Sequence, residues 1–180
     1  MKRVLLVDMS ELRDAFEEGL PGVHWYLDVE TGEVISVEDE MWRLLERVGE
    51  DDDVRGRDSG ALIAPTDALQ RHGVLAWQWD LVQEAARIEA GLGTRYIEVP
   101  RAESRDGFRD MEDFVGAIRD TRVRERLAST LGGPGSFRRF EDTLSDYPAE
   151  RDRWHAFSAA RVRGRILGWL DSEDITPVLA

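Results

Sequence analysis

The sequence predicts an α+β fold: a small antiparallel sheet, made of a hairpin plus a third strand, packed against a mostly helical C-terminal half. Three observations carry this. HWYLDVETGEVISV, residues 24–37, alternates with a period of two about Thr31-Gly32, where a tight turn needs positive φ. RYIEVP, Arg95 to Pro100, is β-branched, alternating and closed by proline, as an added strand should be. The remainder repeats its apolar residues at helical spacing, with none of the strand–helix–strand alternation that builds parallel sheets.

The elements follow in order. Ser10 is placed to cap a first helix, ELRDAFEEGL, with Leu12, Ala15, Phe16 and Leu20 on one side and Gly19 or Gly22 as its stop. In the hairpin, Trp25, Leu27 and Val29 point one way and His24, Tyr26 and Asp28 the other, which predicts a single buried face. A short acidic helix, EDEMWRLLERVGE, precedes DDDVRGRDSGALIAPTD, where charge, glycine and proline replace any apolar period. Asp67 then caps a long helix with Val74, Leu81, Ala85, Ile88 and Leu92 in one stripe, and Trp77 and Trp79 add apolar surface outside it. After the third strand come stripes at Phe108, Met111, Phe114, Val115 and Ile118, at Val123, Leu127 and Leu131, and at Phe137, Phe140, Leu144 and Tyr147. A last helix from about Ala149 to Leu170 carries Trp154, Phe157, Ala160 and Leu167.

Composition bounds what such a chain does. Its 180 residues suit one domain, 1–180, with a flexible acidic insertion at about 49–66. The net charge of −13 works against wholesale attraction to nucleic acid or an anionic membrane. Between Arg119 and Arg165, however, eleven arginines face seven acids, a local excess that reads as a binding face or, more simply, as i,i+4 pairing on helix surfaces. No cysteine is present, which removes disulfides, thiol nucleophiles and thiolate metal sites. Asp8 and Glu11 interrupt the apolar start too early for a signal peptide, and no apolar run reaches the ~20 residues of a membrane span. The expectation is a soluble cytoplasmic protein that does not engage the membrane.

The stretch nearest to a ligand motif is LGGPGSFRRF, Leu131 to Phe140. It is not a nucleotide P-loop, which needs a lysine, since the chain has none after Lys2. Nor is it a dinucleotide fingerprint, because Gly133-x-Gly135 follows a helix and Arg138 replaces the third glycine. Two readings remain. In one, the amides of Gly135 and Ser136 with Arg138 and Arg139 form an anion site at a helix start. In the other, Gly132 ends one helix in the left-handed C′ position, Ser136 caps the next and Arg138 pairs with Asp142.

Other chemistry finds less footing. In DDDVRG, Arg55 and Leu62 occupy positions where a calcium loop needs oxygen ligands, and His24, His72 and His155 show no local metal spacing. Asp28 and Glu98 lie in strands on the polar side, where exposure is expected, and Glu112 and Asp113 share a helix. Trp154 and Phe157 beside arginines have the chemistry to stack bases, but at helical spacing they belong to a core.

The segments YLDVETGEVISV, RYIEVP, MEDFV, GGPGSFRRFEDTL and RWHAF with a closing WL, in that order, resemble the bacterial uncharacterised protein family UPF 0158. The likeness covers Tyr26 to Val37 and Arg95 to about Leu170, with FRRFEDTL its most specific block; Pro134 and Glu141 stand where the family commonly has basic residues. The resemblance implies no assigned activity and supplies no catalytic residue.

The leading expectation is therefore a non-catalytic interaction or regulatory domain whose helical C-terminal half meets a protein partner, with no cofactor, no metal ligand and no catalytic residue named. The alternative is an anion-binding protein for a phosphorylated ligand or nucleic acid, using Gly135, Ser136, Arg138 and Arg139. An enzyme of unrecognised type comes third.

Overall fold

A computed structural model describes residues 2–17, 20–50 and 66–179; most of the insertion expected at 49–66 lies outside them. The chain divides into two compact units, Met1–Arg101 with Asp174–Ala180, and Ala102–Glu173. The fold is α+β.

In the first unit, β1 (Arg3–Val7) leads into α1 (Met9–Glu17), and the hairpin β2 (Val23–Asp28) and β3 (Val34–Glu38) leads into α2 (Asp39–Gly49). Then come a short α3 (Thr66–Arg71), a 3₁₀ turn (Ala76–Gln78), α4 (Trp79–Gly91) and β4 (Tyr96–Glu98). The anticipated sheet is present, antiparallel in the order β3-β2-β4, with Tyr26 opposite both Ile35 and Glu98. Tyr26, Val37, the apolar face of α2 and Val82, Ala85, Ala86 and Ile88 of α4 form its main core.

Four local expectations change. Asp8 rather than Ser10 caps α1, its Oδ1 accepting from the amides of Ser10 at 2.7 Å and Glu11 at 3.3 Å, because a carboxylate two residues earlier reaches both free donors. The hairpin buries both faces, since Tyr26 and Asp28 are as enclosed as Leu27 and Val29. The long helix expected from Asp67 is broken at Gly73, whose φ is +70°, so Leu81 and Leu92 are exposed and the buried stripe moves to Val82, Ala85, Ala86 and Ile88. Finally, β1 pairs in parallel with a last strand, β5 (Ile175–Leu179), Arg3 standing opposite Ile175. Leu5, Val7 and Ile175 turn inward, while Val4, Leu6 and Val178 remain exposed.

The second unit is helical: α5 (Ser104–Gly116), α6 (Thr121–Ala128), α7 (Ser136–Leu144) and α8 (Pro148–Ser172). The predicted stripes converge on Met111, Phe114, Val115, Ile118, Leu127, Phe140, Leu144 and Trp154. Phe114, Phe140 and Trp154 meet edge to face with ring centroids 5.0–6.5 Å apart, the arrangement that aromatic quadrupoles favour. Phe137, expected within a buried stripe, is instead exposed. Asp120 caps α6 by accepting from the amides of Arg122 and Val123, and Glu141 accepts from the indole N–H of Trp154 at 2.8 Å.

Candidate functional site

The glycine-rich loop joins α6 to α7. Gly133 and Gly135 both have φ of +75°, so they, and not Gly132, take the left-handed positions. Gly135 is the N-cap of α7, and Ser136 is a buried residue of its first turn. The two arginines part company. Arg139 folds back into the loop and donates to the carbonyl of Thr130 at 3.2 Å and to those of Gly132 and Pro134. Arg138 projects outward with 89% of its side chain exposed, 3.8 Å from Asp142. The loop therefore turns carbonyl oxygens inward around a cation, and its two guanidinium groups do not share a cavity.

A second polar cluster lies on the sheet. β2 places His24 between Asp39, the first residue of α2, and Glu98 of β4: Nε2 is 2.8 Å from Asp39 Oδ1 and Nδ1 is 3.5 Å from Glu98 Oε1. With Gly22, Val99, Pro100 and Arg101 these residues line a cleft of about 510 Å³. Arg101 donates to the carbonyl of Val23. Next along β2, the phenol of Tyr26 is pushed up to about 12, mainly by burial and secondly by the charge of Glu98. The strand pattern puts His24 and Glu98 on the polar side of their strands; that they meet, and that Asp39 joins them, depends on the registers of β2 with β4 and β3.

Two further carboxylates are enclosed with arginines. Asp28, 2% exposed, accepts from the Glu30 amide at 2.8 Å through Oδ1 and from Arg95 at 2.7 and 3.0 Å through Oδ2. Burial raises its pKa, but the Arg95 hydrogen bonds and the turn amides outweigh that and hold it below the ordinary carboxylate value. The strand pattern predicts exposure for Asp28; Arg95, sixty-seven residues away, makes burial tolerable instead. In the second unit Asp110 of α5 accepts from Arg165 of α8 at 2.7 Å through both oxygens, with Arg161 at 3.5 Å. Each carboxylate is occupied with structural partners. Glu112 and Asp113 are exposed, and Asp113 pairs with Arg161. Among the described residues no group of three or more acids and histidines is placed to hold a metal ion.

The third feature is apolar. The 3₁₀ turn is pinned on both sides: Gln78, buried, accepts from the amide of Leu75 at 3.1 Å and donates to Glu40 at 3.0 Å, while Trp79 donates its indole N–H to the carbonyl of Val74 at 3.0 Å. Between these anchors Trp77 stands out 67% exposed, flanked by the exposed Leu75 and Leu81. The sequence shows two tryptophans in five apolar residues; which of them faces water depends on the break at Gly73, and that lies beyond a periodicity count.

The sequence model of an uncharacterised protein family (UPF0158) matches residues 79–180, more than half of the chain. The chain belongs to this family. Among curated proteins, the UPF0158 protein PA5073 of Pseudomonas aeruginosa is 24% identical over 180 residues, spanning 97% of this chain and 88% of the relative. No solved structure matches. The UPF0158 match contains RYIEVP, MEDFV, GGPGSFRRFEDTL and RWHAF but not the hairpin segment, and it begins two residues after Trp77. UPF0158 has no assigned function, so membership fixes ancestry and leaves activity to the site.

Proposed function

We propose that this UPF0158 chain is a non-catalytic protein-interaction domain that meets its partner through the Trp77 turn. One observation carries the reading: a tryptophan is held exposed between two hydrogen-bonded anchors. Tryptophan dominates binding energy at protein interfaces, and a turn that is already fixed loses little backbone entropy on binding. The polar clusters support the same reading from the other side. Asp28 and Asp110 are engaged by Arg95 and Arg165, and Arg139 is engaged by loop carbonyls. Anion capture at Gly135, Ser136, Arg138 and Arg139 draws less support, because the donors it requires from Arg139 are already committed. Among the described residues no helix is long and apolar enough to cross a membrane.

The test is a photo-crosslinking amino acid placed at position 75, exposed beside Trp77, in the cells the chain comes from, with position 138, also open to water, as control. A discrete adduct at 75 and none at 138 is the expected result. No adduct at 75, or the same products from both positions, removes the proposal.

A further inference from the structure

The chemistry around Trp77 narrows the class of partner, an inference that rests on the interaction reading above. The 3₁₀ turn runs directly into α4, so Trp77, Asp80, Leu81 and Glu84 stand at i, i+3, i+4 and i+7 along one helical stretch and share a face. Its two apolar members are exposed. Its two acids lie beside them: Asp80 is exposed and has no ion-pair partner among the described residues, and Glu84 has only Arg87 at 3.8 Å. Arg87 continues this face and is taken up by Glu84, which leaves Asp80 as the uncompensated charge of the strip. The long-range field has the same sign, because the whole chain carries −13.

Charge complementarity decides among occupants. A second copy docked face to face would bring Asp80 and Glu84 against their own counterparts, and like charges across an interface are costly. Nucleic acid and an anionic membrane surface carry the same sign as the strip. A cationic polypeptide segment meets every requirement: an aliphatic side chain covers Leu81, and arginine or lysine stacks on the Trp77 ring while pairing with Asp80 and Glu84. We infer that the Trp77–Glu84 strip docks an arginine- or lysine-bearing segment of a partner protein, in the manner of a basic amphipathic helix laid on an acidic-rimmed apolar surface.

The probe is a fluorescently labelled synthetic amphipathic helix with leucine on one face and arginine on its flanks, compared with the same peptide carrying glutamate for arginine, each titrated with the full chain. Expected are binding of the arginine peptide, none of the glutamate peptide, and affinity about tenfold weaker for Trp77→Ala. Asp80→Asn with Glu84→Gln should weaken binding and flatten its salt dependence. Trp77→Ser, which keeps the turn's anchors, serves as a second variant, and matching melting curves establish that both variants fold. The inference is overturned if the arginine peptide fails to bind, if the glutamate peptide binds equally, or if binding survives loss of Trp77. Sequencing the peptide crosslinked at position 75 separates the two levels. A neutral or acidic segment there defeats the cationic partner and leaves the interaction reading intact, whereas no adduct defeats both.

Discussion

Two glycine-bearing loops solve opposite halves of one problem. At the hairpin turn an anionic side chain, Asp28, collects backbone donors from Glu30 and Thr31. At the α6–α7 loop a cationic side chain, Arg139, collects backbone acceptors from Thr130, Gly132 and Pro134. Backbone groups left outside helix and sheet ladders take partners of the complementary kind, and a charged side chain satisfies several at once. The comparison shows which loop is open to a ligand: one whose inward backbone groups are already matched by its own side chains offers little to a phosphate, whatever its glycine content.

The largest expected effect separates the glycines of the two loops. Gly32 has φ of +83°, and a Cβ there would sit 1.8 Å from the carbonyl oxygen of Leu6 in β1. Gly133 has φ of +75° with nothing within 4 Å of the same position. Gly32→Ala should therefore cost about 3 kcal/mol or more, combining left-handed strain with a backbone clash, and Gly133→Ala only about 1 kcal/mol from strain alone. Denaturant midpoints of the two variants check this. Equal losses would mean that β1 yields to the hairpin, so that the close approach is not a fixed part of the fold.

Asp28→Asn addresses the anionic half. It keeps an acceptor for the turn amides and removes the charge facing Arg95, at a cost of about 2 kcal/mol. The sign of the pH dependence follows from the lowered pKa. Below the ordinary value of 3.8 the unfolded chain takes up a proton that the folded Asp28 refuses, so its contribution is complete above that value and is lost as pH falls through the lowered one. Stability measured from neutral pH down into that acid range should fall more steeply for the natural chain than for Asp28→Asn. Parallel curves would show that Asp28 titrates alike folded and unfolded.

What the sequence made legible was local. Period-two alternation located β2, β3 and β4, and helical spacing located the aromatic residues of the second unit, because those patterns reflect burial on one face. The β1–β5 pair was not legible: its strands stand at opposite ends of the chain, and Pro177 in a short strand weakens the strand signal. The same holds for the sites. Asp28 looked like a solvent-facing polar residue because its neutralising partner, Arg95, comes from a remote turn. Trp77 and Trp79 read alike, as apolar surface outside the stripe, because nothing short of the Gly73 break tells them apart. Distant pairing and single-residue interruptions change which side of an element is buried without altering its period.

The smallest effects belong to the cationic half, where the two arginines give its sharpest test. Arg139→Ala leaves three carbonyls without their shared donor. Water reaches this exposed loop and replaces part of that bonding, so the loss should be about 1 kcal/mol. Arg139→Lys should recover little of it, because an ammonium group is a point charge and lacks the forked donor geometry that spans several acceptors. Arg138→Ala removes only an i,i+4 contact at 3.8 Å from an exposed side chain, worth under about 0.5 kcal/mol. Melting curves of the three variants decide it. A loss at Arg138 equal to that at Arg139 would show the two guanidinium groups acting as a pair, and the loop would then regain its standing as a binding element.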